Sequence, residues 1–214
     1  MYRGRSGMAA GRADRAIHAC IHAMLLLGSL AAAEAAAAAS GDAYDVLVYG
    51  ATASGCMAAV AAAREGARVA LVHYGSHVGG MPASGLGETD KANATVIGGL
   101  ASEFFTRVGA AYGLPAGTRA WAFEPHVAEG VFEAMLAAEA PSLTLVRNAQ
   151  FASLSLSAGR VTAITDAGGR SYAASVFVDA SYTGDLLVAV PGVTLTYGRA
   201  AGICIRVRGG RVHI

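Results

Sequence analysis

Between Asp45 and Asp90 the chain runs DVLVYGATASGCMAAVAAAREGARVALVHYGSHVGGMPASGLGETD. Few folds accommodate that order. A short apolar strand, Tyr44 to Tyr49, leads into a glycine-bounded turn, Gly50-Ala51-Thr52-Ala53-Ser54-Gly55. Cys56 to Glu65 follows, rich in alanine, and its small side chains suit a helix pressed closely on a sheet. Gly66 supplies the left-handed residue that ends such a helix. Arg68 to His73 reads as a second strand. Strand, turn, helix and strand within about thirty residues describe the opening unit of an open α/β sheet.

The turn carries chemistry. A helix N-terminus presents unpaired N–H groups and a partial positive charge, which suit a phosphate. In G-x-G-x-x-G the first glycine permits the sharp turn and the third lets helix and strand pack closely. Gly50 and Gly55 fill those places, while Thr52 stands at the middle one. A threonine can bond phosphate through its hydroxyl but changes the backbone's approach. Gly50, Thr52, Ala53, Ser54 and Gly55 are therefore candidate cofactor contacts. The second strand of such units ends on Asp or Glu, which bonds ribose hydroxyls; here the position holds His73. A neutral imidazole accepts one hydrogen bond, and a protonated one only donates. His73 is either an altered ribose contact or a solvent-facing strand end, and the residues alone leave both open.

The chain has 214 residues, enough for one domain with a sizeable core. Hydrophobic residues make up 54%, largely alanine, and aromatics only 7%, which predicts a core of small aliphatic side chains. A net charge of +1, with no basic run in the body of the chain, argues against a nucleic-acid partner. Cys20, Cys56 and Cys204 form no C-x-x-C pair, and the histidines form no H-E-x-x-H pattern, so no metal site is expected.

Residues 1–43 differ from the rest. Arg3, Arg5, Arg12 and Arg15 precede an apolar stretch from Ile17 to Ala33, and Ala37-Ala38-Ala39-Ser40 offers an A-x-A cleavage site. This is the layout of a secretory signal peptide. The alternatives are an alanine-rich disordered extension and a start at Met24. His18, His22 and Glu34 interrupt the apolar run, so no stable membrane span is expected. The protein is exported to the periplasm or medium if the signal is genuine, and cytoplasmic otherwise. No twin-arginine pair is present.

Further along, Gly98 to Tyr112 reads as a helix with Leu100, Phe104 and Val108 on one face. Pro125 suits the first turn of another, with Val127, Val131, Phe132, Met135 and Leu136 as its apolar side. Glu124 and His126 read as residues of that helix start, not as catalytic groups. Leu143 to Val146 is a strand. Phe151 to Ser157, Arg160 to Thr165 and Ser171 to Ala173, separated by turns at Ala158-Gly159 and Gly168-Gly169, form a β-meander. Ser175 to Asp179 reads as a separate strand ending on a carboxylate, followed by a helix capped by Thr183 or Asp185.

Taken together, VYGATASGCMAAVAAAREGARVALV, HVGGMPASGLGETD, IGGLASEFFTRVGAAYG, WAFEPHVAEGVFEAML and VFVDASYTGDLLVAVPGVTLTYGRAAG resemble the FAD-dependent oxidoreductase family, within the glutathione-reductase-like flavoproteins. The resemblance covers most of residues 44–202. It implies an α/β fold: a Rossmann-like parallel sheet with flanking helices and a small antiparallel β-meander. It implies FAD, not NAD, and hydride transfer between FAD and a small-molecule substrate. Gly79-Gly80-Met81 is similar to the family's pyrophosphate-wrapping loop, which adds Gly80 and Met81 to the candidate contacts. Asp179 to Asp185 is similar to the family's D-A-T-x-x-G-D-L segment, which adds Asp179 and Asp185. No catalytic residue, substrate or electron acceptor is assigned. Relatives of this type run longer, and residues 203–214 lack the pattern. The expectation is an incomplete FAD-binding domain at 44–202 with an unmatched tail. The alternative function is a truncated, catalytically inactive flavin-binding remnant.

Overall fold

The second half of the strand β1 (Tyr44–Tyr49) is buried on both sides because its residues alternate between two apolar layers. Val48 points into one cluster, Leu47 and Tyr49 into the other, and all three are fully buried. In the computed structural model, which describes residues 43–197 and 203–207, β1 is followed by α1 (Ala53–Arg64) and β2 (Val69–Val72). α2 (Gly99–Ala111) and α3 (Pro125–Ala137) come next, then β3 (Leu143–Val146). β4 (Phe151–Ser157), β5 (Arg160–Asp166) and β6 (Ser171–Asp179) lead to the short α4 (Asp185–Ala189) and to β7 (Val193–Tyr197) and β8 (Ile203–Val207). The signal-like segment, with Cys20, His18 and His22, lies outside the described residues, as does most of the tail.

Six strands form one mixed sheet in the order β3-β2-β1-β6-β5-β4. β3, β2, β1 and β6 run parallel, with Val46 opposite Val69 on one side and Val176 on the other. β5 and β4 then pair antiparallel. β7 and β8 pair as a separate antiparallel ribbon.

The meander is thus part of the main sheet, and β6 is the strand that joins the two halves. The sequence divides it at Ala174, but it is continuous over nine residues. Its first half pairs with β5 and its second half with β1, so one strand serves both partners. Small residues at Ala173 and Ala174 break the alternating pattern without breaking the strand.

One face of the sheet is covered by α1, α2 and α3. Val60, Phe104, Val108, Phe132 and Met135 pack there against Val48, Val69 and Leu71. Phe104 stacks on Phe132 with centroids 4.5 Å apart. Ala111, at the end of the predicted face of α2, is exposed. The other face is covered by Ile164 and Tyr172 of the meander and by Leu186 of α4. Arg64, at the end of α1, bonds both Glu103 of α2 and Glu139 just past α3. Among the described residues no helix is long and apolar enough to cross a membrane.

Candidate cofactor site

α1 begins three residues earlier than its composition suggests, because Thr52 caps it. The Thr52 hydroxyl accepts the N–H of Gly55 at 3.1 Å, and the Thr52 carbonyl accepts that of Cys56. Ala53, Ser54 and Gly55 therefore form the first turn of the helix. The Thr52 hydroxyl also donates to the Ala180 carbonyl at 2.8 Å and lies 3.0 Å from the Ser54 hydroxyl. Thr52 is only 2% exposed. Its side chain is folded into the protein and does not project toward a phosphate. Ser54 is exposed, and its N–H has no acceptor among the described residues.

The two outer glycines are required by contact. Gly50 has a φ of +100°, and a Cβ there would lie 2.8 Å from the Ser181 nitrogen. A Cβ at Gly55 would overlap the Gly50 carbonyl oxygen. These are the turn and packing roles that G-x-G-x-x-G assigns to its first and third glycines.

His73 is neither solvent-facing nor open to a ribose through its Nδ1. It is 6% exposed, and Nδ1 accepts the N–H of Ala51 at 3.1 Å. The backbone of His73 is engaged as well, donating to Val146 and accepting from Ala149. Burial pushes its pKa below the usual histidine value, against a backbone hydrogen bond at His77 and with help from the Arg147 charge. The ring is therefore neutral and, with Nδ1 accepting, carries its proton on Nε2.

The loop after β2 crosses the same turn. Gly79 bridges Thr52, and its N–H donates to the Ala51 carbonyl at 2.8 Å. A Cβ at Gly79 would enter the Phe132 ring, so this glycine serves packing. Gly80, with φ +62°, faces the other way: a Cβ there would overlap the Tyr182 hydroxyl and lie 3.1 Å from the Thr52 Cα. Met81 is half exposed, and its N–H donates to the Tyr182 hydroxyl at 2.7 Å.

Asp179 ends β6 beside Tyr49, but its carboxylate is spent on the chain. One oxygen accepts from the Ser181 N–H and hydroxyl, at 3.0 and 2.7 Å. The other accepts from Leu186 and Leu187, at 2.8 and 2.9 Å. Asp179 thereby caps α4, the role expected of Thr183 or Asp185. The residue before α4 is Gly184, in a left-handed conformation with no side-chain bond. Asp185 accepts from the Thr183 hydroxyl, and its N–H donates to Ser181.

The structure therefore brings all ten sequence-predicted residues to the carboxyl ends of β1, β2 and β6, where ligands bind in open α/β sheets. Thr52, His73 and Asp179 have their polar groups bonded within the protein, whereas Asp185 is half-buried and its carboxylate accepts only from the exposed Thr183 hydroxyl. Of the other six, Gly50 and Gly55 are buried in packing contacts, while Ala53 and Gly80 are partly exposed and Ser54 and Met81 exposed. Ala51 and Tyr182 are the participants that the sequence does not single out. An aromatic residue in the loop leaving β6 was the available signal for Tyr182. A helix N-terminus with an unpaired Ser54 N–H, and a Thr52 side chain bonded inward, are what a phosphate needs at such a turn, so the residues fit a dinucleotide. Nearby Cys56 is buried, which pushes its thiol up to about 12. Among the described residues no three His, Cys, Asp or Glu side chains converge on a point that could hold a metal ion.

The model of the FAD-dependent oxidoreductase family matches residues 45–206, four residues past Gly202. The chain belongs to that family, and FAD is its cofactor. Among solved structures, it is similar to GidA of Aquifex aeolicus at 21% identity and a TM-score of 0.43, over 65% of this chain and 25% of that one. It is similar to the GidA-related protein of Thermus thermophilus at 27% and 0.43, over 64% and 52%. A mutant of the halogenase PltM in complex with FAD gives 14% and 0.45, over 69% and 36%. The chain thus spans about a quarter to a half of these proteins' lengths. No curated protein matches it.

Proposed function

We propose that the crevice between Gly50–Gly55, Gly79–Met81 and the loop after β6 holds the pyrophosphate of FAD, in a protein that passes a hydride between a small-molecule substrate and the flavin. The observation that carries this reading is the N-terminus of α1. It remains open although the middle glycine of the motif is absent, because Thr52 turns its side chain inward. The Ser54 N–H meets a phosphate oxygen there, with the helix dipole adding to the attraction. Gly50 and Gly55 let the backbone come close, and Gly80 and Met81 supply the opposite wall. Thr52, His73, Asp179 and Asp185 hold that backbone in place. When bound, the isoalloxazine supplies the hydride chemistry, while the protein binds and orients.

The reading is tested by loading the full chain with FAD and adding alcohols, amines and reduced nicotinamides without oxygen. The expected result is bleaching of the flavin's visible absorbance by one class of donor, faster than for free FAD. A chain that binds FAD but is bleached no faster by any donor would be a flavin holder without hydride transfer.

A further inference from the structure

Tyr182 lies 101 residues from Met81 in sequence yet receives its N–H at 2.7 Å. That bond uses one lone pair of the hydroxyl and leaves its proton without an acceptor among the described residues. The ring is 49% exposed, so the phenol is not a core group. It is held over Gly80 at the one position where any side chain would displace it. The same absent Cβ would touch the Thr52 Cα, so the hydroxyl, the second glycine loop and the cap of α1 converge on one point.

Resting on the FAD reading above, we infer that Tyr182 is a cofactor-binding residue, whose hydroxyl donates its free proton to the pyrophosphate of FAD. Met81 acts as the positioning partner: its N–H fixes the oxygen and so directs the O–H bond toward the crevice. A neutral donor there recognises a phosphate without demanding a counter-charge, and none of the lining residues is basic.

The test compares FAD binding by the full wild-type chain and by Tyr182→Phe, which keeps the ring and loses the hydroxyl. Loss of a hydrogen bond to a charged oxygen predicts binding about 10- to 100-fold weaker. The apo thermal midpoint stays unchanged, because water can take the exposed Met81 N–H. The phosphorus resonances of bound FAD shift between the two proteins, which a latch between two loops alone would not cause. Gly80→Ala displaces the phenol, so adding Tyr182→Phe to it costs nothing further. Equal affinity and unshifted phosphorus resonances in Tyr182→Phe, with wild type binding FAD, would overturn the inference alone. A wild-type chain that takes up no FAD would overturn the reading beneath it as well.

Discussion

The Nδ1 of His73 accepts the backbone N–H of Ala51 at 3.1 Å, tying the end of β2 to the turn that follows β1. Only a neutral ring can do this, because a protonated imidazole has no acceptor. Burial holds the folded-state pKa below its unfolded value of about 6.5. The bond's contribution is therefore fully present above that value and is lost as pH falls through the lower, folded one. Stability and FAD affinity should decline together on acidification below about pH 6.5. His73→Gln, whose carbonyl can accept the same N–H, should flatten that decline. His73→Leu should cost about 1–3 kcal/mol at neutral pH, the cost of an unpaired buried N–H. Urea midpoints and FAD titrations at pH 5 and pH 7.5 are the measurements.

The two ends of α1 respond differently to the same substitution. Gly55→Ala drives a methyl group into the Gly50 carbonyl oxygen and should cost about 3 kcal/mol, with loss of FAD binding. Gly66 also has a positive φ, of +88°, but nothing lies within 4 Å of the position of its Cβ. Gly66→Ala should cost only about 1 kcal/mol and leave FAD affinity unchanged. Equal effects in thermal unfolding would contradict the packing role of Gly55.

Asp179 separates a fold role from a ligand role. Its four internal donors predict that Asp179→Ala destabilises the apo protein by about 3 kcal/mol, through Ser181 and the start of α4. A residue that only touched the cofactor would leave the apo midpoint where it was. Calorimetry without FAD distinguishes the two.

Cys56 sits in the first turns of α1, a place where exposed thiols are activated. Burial works in the other direction here and raises its pKa to about 12. Iodoacetamide should modify Cys56 only after denaturation, as read by peptide mapping. Rapid labelling of the native protein at this cysteine would show that α1 opens far more readily than its packing implies.

The sequence makes much of the parallel half of the fold legible because β1 and β2 are short apolar runs close to glycine turns and β3 follows Pro141. Leu143–Val146 and Phe151–Ser157 are found with the bounds that the sequence predicts. The continuity of β6 was not legible, since Ala173 and Ala174 carry no pattern and the strand changes partners there. The ten site residues gather where the motif puts them, but their roles depended on distant partners. Thr52 is settled by Ala180, 128 residues on, and His73 by a backbone N–H that no side-chain pattern encodes. Asp179 reads as a ligand by its place at a strand end and becomes a cap only once α4 folds over it.

Whether the glycine crevice holds FAD is read most simply by direct titration of the purified full chain. The expected result is a yellow protein, or an apo protein that quenches added FAD and retains it through gel filtration, with Gly55→Ala abolishing both. A folded, colourless chain that neither quenches nor retains added FAD would mean that the glycine crevice does not hold the cofactor.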